Sequence, residues 1–393
     1  MTQFPLVAMF SGWISAFSGL SAAAFGGSWD AAFHESFPEE DRGRVAIASP
    51  DVALTFARMD VDGRPRVLLV TTYDKGIVTG VDLSTALARN VEDPVALFAE
   101  RGYEALLGDL RDAPPSAQVT VAVAKLLVPV DFGDQHIAVG TNYPEHASDA
   151  GTTRPFLFPK LVQPGTSGDA VSVHGGLLDY EVEIAAMTLE PLAVGDSPRF
   201  LGLLVSNDFT DRETLMHHVD RDDIESGKGF TTGKSFPGYL PVGSLLVVPR
   251  NWRTFVSDLE LRLFVNDGLR QRSKASEMVW NVEEVFRQIA VRRGVLWEYD
   301  GREVPLWQGD AIPARTLVLT GTPHGTVFQG MPGRLMLTGL LRWLFGGWGT
   351  SIPDQVIGAY VDDARDARAY LQPGDEVLIH VQHLGEIRSR VVP

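Results

Sequence analysis

Residues Leu177 to Met187 read LLDYEVEIAAM, and the strand pattern in this stretch decides how the rest of the chain is read. Alternating side chains of a strand point to opposite faces. Asp179, Glu181 and Glu183 are therefore expected on one face, and Tyr180, Val182 and Ile184 on the other. The apolar face is core material. Three carboxylates on the opposite face repel one another unless they are solvated or neutralised, and a divalent cation with oxygen ligands is one way to neutralise them. Two readings are open at this point: a solvated acidic strand face, or one wall of a metal site.

The surroundings of that strand set the fold class. From about residue 126 short β-rich runs predominate, among them AVGTNY, GLLVSND, SLLVVP, LELRLFVND, TLVLTG and DEVLIHVQ. Two helices stand between them. One is expected to begin at Thr210, which forms a capping-box pattern with Glu213. The other spans Val282 to Arg293, with Val282, Val285, Phe286, Ile289 and Ala290 on one face and Gly294 placed to end it. The strand–helix alternation of a parallel α/β fold is missing. Residues 126–393 are thus predicted to form a β-dominated α+β domain.

Upstream, VALTFARMDVDGRPRVLLVTT reads as two strands joined at Asp62-Gly63. A helix is expected around Pro94 to Leu110, before the Pro114-Pro115 linker. Residues 43–120 are predicted to be a small N-terminal β-rich domain without visible chemistry. No charged side chain precedes Asp30, and residues 4–26 are apolar but diluted by Ser, Gly and Pro. The stretch lacks the basic start of a signal peptide. The favoured reading of residues 1–42 is an extension that packs on the body or on a neighbouring subunit; membrane anchoring or export is the other. A second apolar segment, 331–350, is too short and interrupted to span a bilayer alone; a lid, an interfacial anchor and a subunit contact are the readings, with the subunit contact favoured.

Composition removes whole classes of function. With 393 residues, 45% hydrophobic and 21% charged, the chain is long enough for more than one domain with a substantial core. A net charge of −16 argues against a duplex nucleic-acid footprint. The absence of cysteine excludes disulfides, thiolate metal sites and a thiol nucleophile. GKGFTTGKSFPG imitates a phosphate loop, but Lys228 stands where glycine is needed and Pro237 and Pro241 prevent the following helix. Lys234 nevertheless reads as a functional loop lysine.

Other residues gather around the acidic strand. In GTNYPEHASDA, His146 and Asp149 stand three apart, a helical spacing at which a carboxylate can orient an imidazole as a general base; an ordinary surface His–Asp pair is the alternative. Asp208, at the end of GLLVSND, could complete a three-carboxylate site with Glu181 and Glu183. LTGTPHGT ends a strand in a tight turn whose hydroxyls and N–H groups could grip a substrate carboxylate.

Taken in order, these segments resemble the fumarylacetoacetate hydrolase superfamily. The resemblance covers roughly residues 126–393. Its motifs are G-x-N-Y-x-x-H-A at Gly140 to Ala147, F-L-F-x-K ending at Lys160, D-Y-E-x-E at Asp179 to Glu183 and N-D-x-[ST]-x-R at Asn207 to Arg212. G-K-S at Gly233 to Ser235, VNDGLRQ, T-G-T-P at Thr320 to Pro323 and L-x-P-G-D-E-V follow. The resemblance implies a mixed β-sandwich or roll and a site for Mg²⁺ or Mn²⁺ held by Glu181, Glu183 and Asp208. It also implies a His146–Asp149 dyad, with Asp in place of the family's Glu, and substrate or oxyanion contacts from Lys234 and Thr322, with Tyr143, Lys160 and Arg212 as further substrate positions. A fourth acidic ligand of the animal subgroup corresponds here to Val139. The expected activity is hydrolysis of a carbon–carbon bond in a 1,3-dicarbonyl 2-oxo acid such as an acylpyruvate, by a cytoplasmic homodimer. Decarboxylation or isomerisation of 2-oxo diacids, hydration of 2-hydroxydienoates and a catalytically idle metal-binding scaffold are the alternatives.

Overall fold

The strand Val182–Thr188 is buried along its whole length, and so is its neighbour Leu201–Asn207. They run antiparallel, Val182 opposite Asn207 and Thr188 opposite Leu201, and Leu317–Leu319 pairs on the other side. Burial on both faces explains why these runs are almost continuously apolar rather than alternating. The computed structural model describes residues 45–174 and 176–393. The apolar stretch 4–26 lies outside the described residues.

These strands sit inside a thirteen-stranded mixed sheet. Its continuous path runs Gln118–Ala122, Ile77–Asp82, Arg64–Asp74, Ala53–Val61, Leu246–Pro249, Leu201–Asn207, Val182–Thr188, Leu317–Leu319, His136–Gly140, Phe156–Lys160. The N-terminal strands therefore continue the same sheet through the pairing of Ala53–Phe56 with Leu246–Pro249. A five-stranded sheet, Gly268–Lys274, Glu260–Val265, Glu376–Val381, Gly385–Val392 and Ala170–Ser172, packs on it. Ile184, Val205, Leu261, Leu263, Ile379 and Ile387 belong to one shared apolar core between the two. The result is the strand-rich mixed fold that the sequence indicates.

Local chemistry explains most boundaries. Asp62 and Gly63 both have positive φ, 56° and 78°, which is the geometry of the hairpin turn between Ala53–Val61 and Arg64–Asp74. The helix Pro94–Arg111 starts at an Asp93 cap with proline in its first turn. The helix expected from Thr210 begins instead at Arg212, because Asp211 accepts the N–H of Thr214 and Thr210 is held in a two-residue strand. Asp179 also departs from expectation. Leu178–Asp179 is a separate short strand paired with Thr210–Asp211, and the chain breaks at Tyr180 and Glu181 before Val182. The cause is local: the N–H of Tyr180 goes to Asp179 Oδ1 and that of Glu181 to the side chain of Asn207, both at 2.9 Å.

The segment after residue 331 forms a helical hairpin. Gly333–Leu344 packs on a second helix, Ile352–Asp366, opened by a Ser351–Asp354 capping box. Leu335, Ile357, Tyr360 and Val361 bury against Leu177 and Met216 beside the acidic strand. The outer face of the first helix and the turn after it leave Leu337, Leu341, Leu344, Phe345 and Trp348 exposed. Among the described residues no helix is long and apolar enough to cross a membrane.

Candidate metal centre and the adjoining cavity

Antiparallel register assembles the acidic centre. Because Val182 lies opposite Asn207, the start of one strand meets the end of its neighbour, and Glu181 and Glu183 come beside Asp208. The N–H of Asp208 donates to the carbonyl of Glu181 at 3.0 Å and locks the corner. One carboxylate oxygen from each of Glu181, Glu183 and Asp208 lies within 4.8 Å of the others, and all three side chains are buried.

Buried carboxylates need compensation. Lys234 supplies it twice, its Nζ 2.8 Å from Glu181 Oε2 and 2.9 Å from Asp208 Oδ2. Lys160 donates to Asp208 Oδ1 at 2.5 Å and to the carbonyl of Tyr239 at 3.0 Å. Arg212 bridges Asp179 at 2.8 Å and Glu181 Oε1 at 2.7 Å. Burial pushes the Glu181 carboxyl up, but Lys234 and Arg212 outweigh it and hold the group below the usual carboxylate range. Glu183 differs. Its Oε2 accepts the N–H of Gly321 at 2.8 Å, while burial and then the nearby Asp208 and Glu181 push its carboxyl well above the ordinary range.

This donor set fits a hard divalent cation. All ligands are oxygen, the cluster is buried, and the strained ionisation of Glu183 is what a bound cation relieves. Asp179 stands outside the triad: its carboxylate takes Arg212 and the N–H groups of Val327 and Phe328 at 2.9 and 3.2 Å.

A cavity of about 110 Å³ opens beside the triad, lined by Glu181, His146, Lys234, Arg212, Thr322 and several apolar side chains. His146 is buried, its Nδ1 has no hydrogen-bond partner among the described residues, and burial pushes the ring down to about 4, so it is neutral near pH 7. The expected His146–Asp149 hydrogen bond is not formed. Asp149 Oδ2 instead lies 2.5 Å from Nδ1 of His324, in the T-G-T-P-H turn, and that contact raises the His324 pKa. Helical spacing does put His146 and Asp149 on one helix, Pro144–Ala150, but His146 turns into the cavity while Asp149 meets the facing turn.

Further expected site residues divide by position. Thr322 lines the cavity, yet its hydroxyl donates to the carbonyl of Val182 at 3.0 Å and accepts from Gln271 Nε2 at 2.9 Å. Lys160 and Tyr143 are buried and do not line the cavity; the Tyr143 hydroxyl has no hydrogen-bond partner among the described residues. Two residues to which the sequence attached no role prove structural to the site. Gln271, the last residue of VNDGLRQ, accepts the N–H of Val182 at 3.0 Å and so ties the acidic strand to the T-G-T-P turn. Asn142 accepts the N–H of Trp280 at 2.7 Å and donates to the carbonyls of Thr320 and Trp280. Gly321, at φ +86°, passes so close that an added Cβ would lie 2.7 Å from Asn142 Cβ.

The chain is similar to several known proteins. The mitochondrial oxaloacetate tautomerase FAHD1 of Oryza sativa subsp. japonica is 28% identical over 221 residues, 52% of this chain and 85% of that protein. The mitochondrial oxaloacetate tautomerase Fahd2a of Rattus norvegicus is 24% identical over 347 residues, 84% of this chain and 88% of that protein. The structure of fumarylacetoacetate hydrolase from psychrophilic Exiguobacterium antarcticum shares the fold, with a TM-score of 0.54 at 19% identity, covering 86% of this chain and 99% of that one. The family model described as "Fumarylacetoacetate (FAA) hydrolase C-terminal" matches residues 135–392, well over half of the chain. The chain belongs to the fumarylacetoacetate hydrolase superfamily, whose members are enzymes.

Proposed function

We propose that this protein is a divalent-metal-dependent hydrolase that cleaves a carbon–carbon bond in a 1,3-dicarbonyl 2-oxo acid such as an acylpyruvate. The observation that carries the reading is a buried three-carboxylate centre sharing one small cavity with a neutral imidazole, His146. Glu181, Glu183 and Asp208 would hold Mg²⁺ or Mn²⁺, which when bound supplies Lewis-acid stabilisation to a 2-oxo-acid enolate. His146 takes a proton from water, and the oxygen attacks the distal carbonyl. The carbon–carbon bond breaks to give a carboxylic acid and the enolate, to which His146 returns the proton. From within its ion pairs with Glu181 and Asp208, Lys234 would polarise the oxygen that gains negative charge, and Thr322 would shape the adjoining wall.

A second reading has its own observation. With Asp149 engaged by His324, His146 lacks the carboxylate that would orient it for water, and proton transfer alone would isomerise a 2-oxo acid without cleavage. Loss of enol absorbance with acetylpyruvate and Mn²⁺, together with formation of acetate and pyruvate, separates the two. Enol–keto exchange without acetate would overturn hydrolysis. His146→Ala is expected to lower turnover by at least about a hundredfold, with Mn²⁺ binding unchanged by calorimetry. We also propose a cytoplasmic homodimer. Supporting it is the exposed stripe Leu337, Leu341, Leu344, Phe345 and Trp348, an apolar patch of the kind that partners bury; sedimentation velocity tests it.

A further inference from the structure

The walls of the cavity divide by chemistry. Its polar groups are Thr141, His146, Glu181, Arg212, Lys234 and Thr322. Phe158, Leu215, Met216, Val219, Ile224 and Phe230 provide most of the rest, with Phe158 and Phe230 packed ring to ring at 5.4 Å.

Both cations in the lining are already committed. Arg212 is bonded to Asp179 and Glu181, and Lys234 to Glu181 and Asp208. Near the loop that carries Val219 and Ile224, Arg221 is paired with Asp354 and Arg154 with Glu225, and neither lines the cavity. Lys228, exposed on the same loop, does not line it either. Among the described lining residues, a second substrate carboxylate would meet no uncommitted cation. Burial of such a group against phenylalanine and isoleucine is strongly unfavourable.

The charge of the centre points the same way. With a divalent ion bound and all four carboxylates ionised, Glu181, Glu183, Asp208 and Asp179 against Lys160, Lys234, Arg212 and the ion would leave one net positive charge, which a single substrate carboxylate cancels. A dianion would leave the buried site with a net negative charge.

We propose that the site takes monoanionic 2-oxo acids whose far end is an uncharged alkyl or aryl group and selects against 2-oxo diacids, with Val219, Ile224 and Phe230 as the specificity-determining wall. The proposal rests on the metal-assisted oxo-acid reading above and names its substrate class. It sets this protein apart from relatives named for oxaloacetate, which is a diacid.

Two non-cleavable probes with equal numbers of heavy atoms test it: 5-methyl-2-oxohexanoate and 2-oxoglutarate, which differ in an isopropyl group against a distal carboxylate. Both are titrated by calorimetry into the full-length protein saturated with Mn²⁺. The apolar probe is expected to bind tighter on the order of tenfold or more. Equal affinities, or tighter 2-oxoglutarate, overturn the proposal. Binding of neither probe overturns it as well, and turnover of acetylpyruvate then decides separately whether the underlying oxo-acid reading survives. Ile224→Lys and Val219→Lys, each at a half-buried position where an ammonium can reach water, are expected to shift the preference towards 2-oxoglutarate by on the order of tenfold. If both variants fold, bind Mn²⁺ and leave the preference unmoved, this wall does not set specificity and the proposal fails.

Discussion

Arg212 carries two buried carboxylates at once, and its neighbours make its loss predictable. Replacement by Met would leave Asp179, fully buried, with only the N–H groups of Tyr180, Val327 and Phe328, and would remove the guanidinium from above the Phe328 ring. Breaking a buried pair from one side costs about 3–5 kcal/mol. Urea unfolding of Arg212→Met should show a loss of that size, and Asp179→Asn in the same chain should recover part of it. His136 gives a pH-dependent counterpart. Its Nδ1 accepts the N–H of Leu317 at 3.1 Å and its Nε2 faces the carbonyl of Gly133 at 3.1 Å, so both nitrogens are used by the neutral ring. Burial lowers its pKa from 6.5 to about 4. Between those values the unfolded chain takes up a proton that the folded one refuses, so stability present above pH 6.5 is lost as pH falls towards 4, by about 3 kcal/mol from this group. His136→Asn is expected to flatten that limb of the stability profile; an unchanged slope would show that the ring titrates freely when folded.

At the scale of elements, the hairpin of Gly333–Leu344 and Ile352–Asp366 is tied to the centre through side chains. Tyr360 and Tyr370 share a hydroxyl contact at 2.6 Å, and Phe328, beneath Arg212, packs against Tyr360. The two helices come close at Gly339, where an added Cβ would lie 2.5 Å from the backbone of Val356. Gly339→Val should therefore cost about 1–3 kcal/mol. Hydrogen exchange should show lost protection in residues 333–366 while Val182–Thr188 keeps its own. The second helix of this hairpin also marks where sequence reading ran short. Its capping box at Ser351 and Asp354 is a local signal that the sequence reading does not use, because the apolar run before it points to a subunit contact rather than to a helical hairpin. The strands, the Asp62-Gly63 turn and the Val282 helix were legible for the opposite reason, since each is fixed by nearby residues. The acidic triad was legible because motif order stands in for register. The partner of Asp149 was not, because helical spacing says which side chains share a face and nothing about what the facing turn offers.

For the whole molecule, the proposed metal would couple to folding. An ion bound only by the folded state at a hundred times its Kd adds about 2.7 kcal/mol, so Mn²⁺ should raise the Tm measurably and Glu183→Gln should remove most of that rise. EDTA should reverse the wild-type shift. The seam between Ala53–Phe56 and Leu246–Pro249 governs a different property, the order in which the sheet can be completed. On the ribosome the N-terminal strands emerge long before Pro249 does, and until then the Ala53–Phe56 part of that edge lacks its partner strand, while Arg58 and Met59 can already pair with Leu126–Leu127. Long-range pairing of this kind slows folding and leaves a strand edge open to other chains. Synthesis, rather than the finished structure, is thus the stage at which this edge is open to pairing with another chain.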